Sequence, residues 1–159
     1  MTPKYQGYNL AYCSTENVYT YGVTVNITSL NSFYVYGNNT NTKYCGFMFQ
    51  VNPNTIVRVS FDYDKTNELL SGAEMQLRAF SVPTAGGQGA YISGSYTTYT
   101  AEKGNFTYTF NTKDNSEIMF AFYLPGAIAV NESNALYIEK FMITEGTEIR
   151  PFEPYVGGI

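Results

Sequence analysis

Asp62 and Asp64 lie two residues apart, with Glu68 close behind, and together they form the tightest acidic cluster in the chain. Carboxylates spaced by two residues point to one side of a strand. Such a pair can act as general acid and base in glycoside cleavage, or help hold a calcium ion. The run lacks the Asp-x-Asp-x-Asp-Gly spacing of a calcium loop, and a solvated strand end rich in turn-forming polar residues accounts for it more simply. The chain contains no histidine. That removes Ser-His and Cys-His nucleophile pairs and imidazole metal sites. No glycine-rich phosphate loop precedes a helical pattern. The expectation is a protein that is not an enzyme.

Surface recognition of sugars is the chemistry the residue types favour. A pyranose presents a flat C–H face and a rim of hydroxyls, and tyrosine supplies both a ring and a hydroxyl at modest entropic cost. The chain has 16 Tyr and 11 Phe but no Trp, the usual sugar platform. Two regions are candidates. Arg58, Asp62, Gln76, Arg78 and Tyr123 fall on the polar sides of central strands and are expected to share a sheet face. Tyr91, Tyr96 and Tyr99 sit in a Tyr/Ser/Thr-rich stretch preceded by the flexible loop Pro83 to Gly89. The competing readings are an ordinary solvent face with Arg–Asp pairing, worth little energetically, and edge packing or subunit contact for the tyrosines. Four Asn-x-Ser/Thr sequons begin at Asn26, Asn38, Asn105 and Asn131. They are read as a consequence of abundant Asn and Thr in strands and turns rather than as glycosylation sites.

These side chains must be positioned by strands. Ile56 to Tyr63 places Val57, Val59, Phe61 and Tyr63 opposite Arg58, Ser60 and Asp62, the alternation of a half-buried strand. Met75, Leu77 and Ala79 oppose Gln76, Arg78 and Phe80. Phe106, Tyr108 and Phe110 alternate with Thr107, Thr109 and Asn111, and Ile118, Phe120, Phe122 and Leu124 alternate with Met119, Ala121 and Tyr123. Leu136, Ile138, Phe141 and Ile143 share one face only if a bulge falls near Glu139-Lys140. Tyr19 to Ile27 reads as one strand with Tyr21, Val23, Val25 and Ile27 on one side. Phe33 to Tyr36, Tyr44 to Val51 and Tyr91 to Tyr99 complete the set, and Glu68 to Gly72 is too short for more than a helical turn. About nine short, regularly spaced strands imply an antiparallel sandwich or jelly roll.

The chain's 159 residues suit one domain with a real core. Its 14% charged content and net charge of −4 disfavour nucleic acid, which needs a basic footprint. The same sign disfavours anionic polymers and leaves a neutral polysaccharide or a protein surface. No apolar run is long enough to span a bilayer and no signal peptide opens the chain, so no membrane partner is expected. Cys45 alternates with Phe47 and Phe49, which places it in the core. Cys13 and Cys45 are read as free buried thiols, with a disulfide as the alternative. The expected organisation is a lead-in at 1–17, a β-sandwich at 18–146 and an extended Pro/Gly exit linker at 147–159, where Pro151 and Pro154 disfavour helix.

The ending is also distinctive as a motif. Glu145-Gly146-Thr147, Pro151-Phe152-Glu153-Pro154-Tyr155 and Gly157-Gly158 resemble the "EGT…PYEPY.GG" close of a domain found in minor tail and receptor-binding proteins of phages infecting Gram-positive bacteria. Asn9-Leu10 is similar to the "NL" that opens such domains, and Gly37 to Asn41 to their "VNGT" hairpin. The resemblance is sharp at the C-terminus and stylistic elsewhere. It implies an all-β, antiparallel β-sandwich of jelly-roll topology, like galactose-binding domains and carbohydrate-binding modules. It further implies a virion location in a tail, baseplate or fibre, with host cell-wall polysaccharide and other virion proteins as partners; a homo-oligomer, a trimer, belongs to the spacer alternative below. It admits one structural Ca2+ held through carbonyls and no other cofactor. Two alternatives keep the fold: a structural or oligomerisation spacer, and the binding module of a cell-wall hydrolase.

Overall fold

The computed structural model describes residues 8–64, 70, 73–82, 89–100 and 103–156. Ten strands are present among them: β1 (Val18–Tyr21), β2 (Thr24–Ser29), β3 (Ser32–Tyr36), β4 (Lys43–Gln50), β5 (Ile56–Asp64), β6 (Met75–Ser81), β7 (Thr97–Tyr99), β8 (Lys103–Asn111), β9 (Glu117–Leu124) and β10 (Leu136–Glu145). One 3-10 turn, Glu132–Asn134, is the only helical element among the described residues. The strands form two five-stranded sheets, β1-β4-β9-β6-β7 (sheet I) and β2-β3-β10-β5-β8 (sheet II), and every pairing is antiparallel. The fold is a jelly-roll sandwich: the strand pattern pointed to the antiparallel sandwich, and the family resemblance implied its jelly-roll topology.

Phenylalanine fills the space between the sheets. Phe33, Phe47, Phe61, Phe120, Phe122 and Phe141 are almost wholly buried. Phe122 meets Phe33 at 5.1 Å, Phe61 at 5.3 Å and Phe141 at 5.1 Å between ring centroids, all edge-on. Edge-to-face contacts of this kind add to the area buried, because a ring's positive edge meets its neighbour's negative face. Val57, Val59, Phe61 and Tyr63 of β5 face this core while Arg58, Ser60 and Asp62 face outward. β10 carries the bulge its sequence demanded: its register against β5 shifts between Glu139 and Met142, and Lys140 adopts φ of 54°. The shift turns Phe141 and Ile143 inward beside Leu136 and Ile138.

Two strand readings need correction. Tyr19 to Ile27 is two strands in different sheets, not one. Gly22 takes φ of +73°, a left-handed conformation that glycine adopts without a Cβ penalty. The chain crosses between sheets there, so Tyr21 faces outward from sheet I while Val23, Val25 and Ile27 pack on the core. Within Tyr91 to Tyr99, only Thr97–Tyr99 is a strand. A turn at Ser93-Gly94, with Gly94 at φ of +88°, interrupts it, and Tyr91 keeps a single bridge to Phe80. The Glu68 to Gly72 reading falls outside the described residues apart from Leu70, as does the 83–89 loop apart from Gly89.

The described parts of both end segments are hydrogen-bonded into the sandwich. Asn9 is buried: its Nδ2 donates to the carbonyls of Phe141 and Glu153, and its Oδ1 accepts from the backbone N–H groups of Ala11 and Ile143. Asn31 Nδ2 donates to the carbonyls of Ala11 and Phe141, and its Oδ1 accepts from the N–H of Tyr155. Tyr12 and Tyr155 stack at 4.6 Å. Buried amides with both ends engaged serve irregular backbone where no sheet partner exists. Cys13 and Cys45 are both buried free thiols, and burial pushes both pKa values up. No helix among the described residues is long and apolar enough to cross a membrane.

Candidate functional site

The outer face of sheet I carries a tyrosine row fixed by strand register. Tyr21 of β1 pairs with Tyr44 of β4, Tyr44 with Tyr123 of β9, Tyr123 with Gln76 of β6, and Gln76 with Thr98 of β7. Cross-strand partners point the same way, so these five side chains line up across the sheet. The adjacent row on that face holds Tyr19, Gly46, Ala121 and Arg78. A cleft of about 650 Å³ opens over these rows, with Tyr19, Tyr21, Thr42, Tyr44, Glu74, Gln76, Arg78, Tyr123 and the Leu124-Pro125-Gly126 turn on its walls.

The floor is aromatic and nearly covered. Tyr44 stacks on Tyr123 at 4.5 Å and on Tyr21 at 5.5 Å, and lies 6.1 Å from Tyr19. Tyr44 and Tyr123 are buried, whereas Tyr21 is 53% exposed. A ligand would therefore meet the open ring of Tyr21 and the edges of the floor rings. Arg78 lies across the cleft with its guanidinium 5.0 Å from the Tyr96 ring and 5.2 Å from the Tyr123 ring. One Nη donates to Gln76 Oε1 at 3.1 Å, and the Nε is buried with no hydrogen-bond partner. A buried donor left unpaired costs about 1–3 kcal/mol, a cost that the stacked guanidinium bears in this arrangement. At the cleft's end, Lys43 is buried but sends Nζ to the Pro125 carbonyl at 2.8 Å and the Gly126 carbonyl at 3.3 Å, pinning the turn that closes the wall. Desolvation lowers its pKa.

Three of the eight expected site residues line the cleft, Gln76, Arg78 and Tyr123, and a fourth, Tyr96, adjoins it through Arg78. Tyr91 is exposed and lies edge-on to Phe80 at 6.2 Å, further along the same face. Arg58 and Asp62 do not share that face. Their strand, β5, belongs to sheet II, so they point away on the opposite side of the sandwich. Arg58 Nε donates to the Thr147 carbonyl and an Nη to Thr107 Oγ1, both at 2.9 Å, which holds down the start of the C-terminal segment. Asp62 accepts from Asn105 Nδ2 and lies 3.9 Å from Lys140 Nζ. Tyr99 points inward, because it pairs with the core residue Met75. Its ring packs against Phe61, Tyr63 and Phe106. Tyr19, Tyr21 and Tyr44 were missed by sequence reasoning: their spacing in tyrosine pairs is visible, but the pairing of β1 with β4 and of β4 with β9 is not. Among the described residues, no group of three or more Cys, Asp or Glu is placed to hold a metal ion. Glu68, the third member of the acidic cluster, lies outside them.

The inward position of Tyr99 carries a consequence for stability. Its hydroxyl is buried without a partner, so Tyr99→Phe is expected to stabilise the fold by about 1 kcal/mol, since it removes an unsatisfied polar atom and keeps the ring. A urea midpoint that falls instead would show that the hydroxyl is satisfied. High pH acts on the same buried phenols. Burial is the main cause raising the pKa values of Tyr44, Tyr99 and Tyr108 above the ordinary 10.0, with neighbouring tyrosines adding to it. The folded state holds these protons while the unfolded state releases them, so the phenols' contribution is intact below pH 10 and declines as pH rises past it, and the buried thiols of Cys13 and Cys45, raised from 9.0, act in the same sense from about pH 9. Lys43 works in the opposite sense, because its lowered pKa makes stability rise with pH just below its ordinary 10.5. Three phenols outweigh one amine, and urea titrations above the phenol's ordinary pKa should show a falling midpoint.

Neither a protein-family model nor a curated protein matches the chain. Solved structures do match in fold. A family 4 carbohydrate-binding module aligns with a TM-score of 0.55 at 12% identity, over 86% of this chain and 94% of that one. The CBM22-1 xylan-binding domain of Xyn10C from Paenibacillus barcinonensis aligns at 0.53 and 14% identity, over 87% of this chain and 91% of that one. The enzymatically active domain of tailspike protein 4 from bacteriophage CBA120 aligns at 0.53 and 8% identity, over 80% of this chain but only 19% of that one. At such identities the likeness is one of fold: the sandwich is that of carbohydrate-binding modules.

Proposed function

We propose that this domain binds a neutral polysaccharide chain in the sheet I cleft and does so without catalysis, as a host-recognition domain of a phage tail, baseplate or fibre protein. The carrying observation is the row Tyr21–Tyr44–Tyr123–Gln76, flanked by the half-buried guanidinium of Arg78 stacked near Tyr96 and Tyr123. It joins an aromatic floor to a small number of convergent hydrogen-bonding groups in a cleft, which is what sugar recognition requires. The module-like fold supports glycan binding. The phage assignment rests on the C-terminal Glu145-Gly146-Thr147 and Pro151-to-Tyr155 motif, and the occurrence of this fold within a phage tailspike is consistent with it. Non-catalysis is supported by the lack of histidine in the chain and by a cleft whose lining, among the described residues, has Glu74 as its one carboxylate. Host cell-wall polysaccharide is the ligand in this reading, other virion proteins are its neighbours, and trimeric assembly of the parent protein presents several copies.

The test is sedimentation of the purified domain with Gram-positive cell walls stripped of teichoic acid, alongside insoluble xylan and β-glucan. Binding to at least one, competed by its soluble oligosaccharide, is expected. Failure to bind every neutral glycan offered would overturn the reading, and release of reducing sugar would overturn non-catalysis.

A further inference from the structure

Sheet II carries a second cross-strand row on the opposite side of the molecule. Asn26 of β2 pairs with Tyr34 of β3, Tyr34 with Tyr137 of β10, Tyr137 with Asp64 of β5, and Asp64 with Lys103 of β8. All five point outward together. At the roughly 4.8 Å spacing of neighbouring strands, the row runs about 19 Å across the sheet. Tyr34 lies 5.0 Å from Tyr137 and 6.4 Å from Tyr36, and Tyr137 is 46% exposed. A hollow lies at each end of this aromatic stretch. One, of about 490 Å³, is lined by Asp62, Asp64, Lys103, Asn105, Tyr137 and Glu139, among others. The other, of about 470 Å³, includes Tyr36, Asn38, Asn131 and Glu132. The Tyr34 hydroxyl donates to Glu132 Oε2 at 3.2 Å, joining the platform to that second hollow.

We infer that this face is a second glycan-binding surface, independent of the cleft, on which a sugar chain runs across the strands from Asn38 and Glu132, over Tyr36, Tyr34 and Tyr137, to Asp64 and Asn105. The asparagines of all four sequons, Asn26, Asn38, Asn105 and Asn131, stand exposed along this track. The abundance of Asn and Thr does not explain why they gather around the exposed Tyr137 and the half-buried Tyr34 and Tyr36 of one face. Amides and carboxylates beside aromatic rings suit a ligand whose hydroxyls both donate and accept. The same carboxylates disfavour a protein occupant. Docking a protein would strip water from Asp62, Asp64, Glu132 and Glu139 together with Lys103 and Lys140 beside them, a heavy cost for so many charges, and interface cores are depleted in such charge. With a surface on each sheet, one domain would bridge two polysaccharide strands.

The experiment uses the whole chain labelled with fluorotyrosine, with fluorine resonances assigned by Tyr→Phe substitution at Tyr21, Tyr34, Tyr123 and Tyr137. The probes are xylohexaose, cellohexaose and a muramidase digest of Gram-positive cell wall. Saturable shifts at Tyr34 and Tyr137 that persist in Tyr123→Ala support the inference, and Tyr34→Ala/Tyr137→Ala should weaken that binding phase at least about tenfold, the loss expected of anchoring aromatics. Shifts at Tyr21 and Tyr123 alone would overturn the second surface and leave the cleft reading standing. Shifts at Tyr34 and Tyr137 alone would do the reverse. No shift at any of the four with any probe would overturn both.

Discussion

Phe141→Ala is expected to destabilise the domain by about 3–5 kcal/mol, the cost of emptying a buried aromatic site. Phe141 has no exposure, and its ring meets Phe122 at 5.1 Å, Phe120 at 5.7 Å, and Phe47 and Phe49 at 6.4 Å each. It is the point at which β10 of sheet II reaches β4 and β9 of sheet I. Its backbone is engaged as well: its N–H donates to the Asn31 carbonyl, while its own carbonyl accepts from both Asn9 and Asn31. The surrounding rings come from strands fixed by register, so the cavity cannot close by a local slide, and the upper end of the range applies. Against a total stability of about 5–15 kcal/mol for a domain, the variant should be largely unfolded at moderate urea concentrations. Phe152→Ala, at a residue 37% exposed in the C-terminal segment, is the comparison and should cost much less. Equal urea midpoints for Phe141→Ala and the unsubstituted chain would show that the β10 bulge is wrongly placed.

That bulge is legible in the sequence, and the reason is physical. A strand buried on one face cannot slip by one residue without turning its apolar set outward. The run Leu136, Ile138, Phe141, Ile143 breaks parity once, so the chain had to insert a residue at Glu139-Lys140. The same constraint made β5, β6, β8 and β9 readable from alternation alone. Strand order was not readable, because alternation records which side of a strand is buried and nothing about its neighbours. Arg58 and Arg78 look alike in sequence, each an outward cation on an alternating strand, yet β5 and β6 lie in different sheets and the two arginines face opposite ways. The Tyr19 to Ile27 error has a similar source: Gly22 leaves a two-residue connection between sheets that looks like continued alternation. Tyr99 misled because a tyrosine in a Ser/Thr-rich stretch looks like surface, whereas its pairing with Met75 turns it into the core. The cleft was half legible for these reasons. Gln76, Arg78, Tyr96 and Tyr123 stood out by type, while Tyr19, Tyr21 and Tyr44 became part of the site only through the order β1-β4-β9-β6.

Arg78→Ala is expected to reduce glycan affinity by roughly 10- to 100-fold, the 1.5–3 kcal/mol typical of hydrogen bonds to a charged group, with little loss of stability. Its guanidinium is held between Tyr96 and Tyr123 and oriented by Gln76, so it is preorganised and a ligand oxygen need only displace water from the cleft. Arg78→Lys separates this account from a simple charge effect. Lysine keeps the positive charge but has neither the planar fork nor the face that stacks on both rings, so it should rescue little of the loss. Tyr123→Ala removes one of the two rings that hold the guanidinium, and the two substitutions should be non-additive, since residues in contact share one interaction. Titration calorimetry of the single and double variants against the best-binding oligosaccharide supplies the cycle. Full rescue by lysine, or strict additivity, would mean that Arg78 acts through long-range charge and that the stacked arrangement in the cleft is structural only.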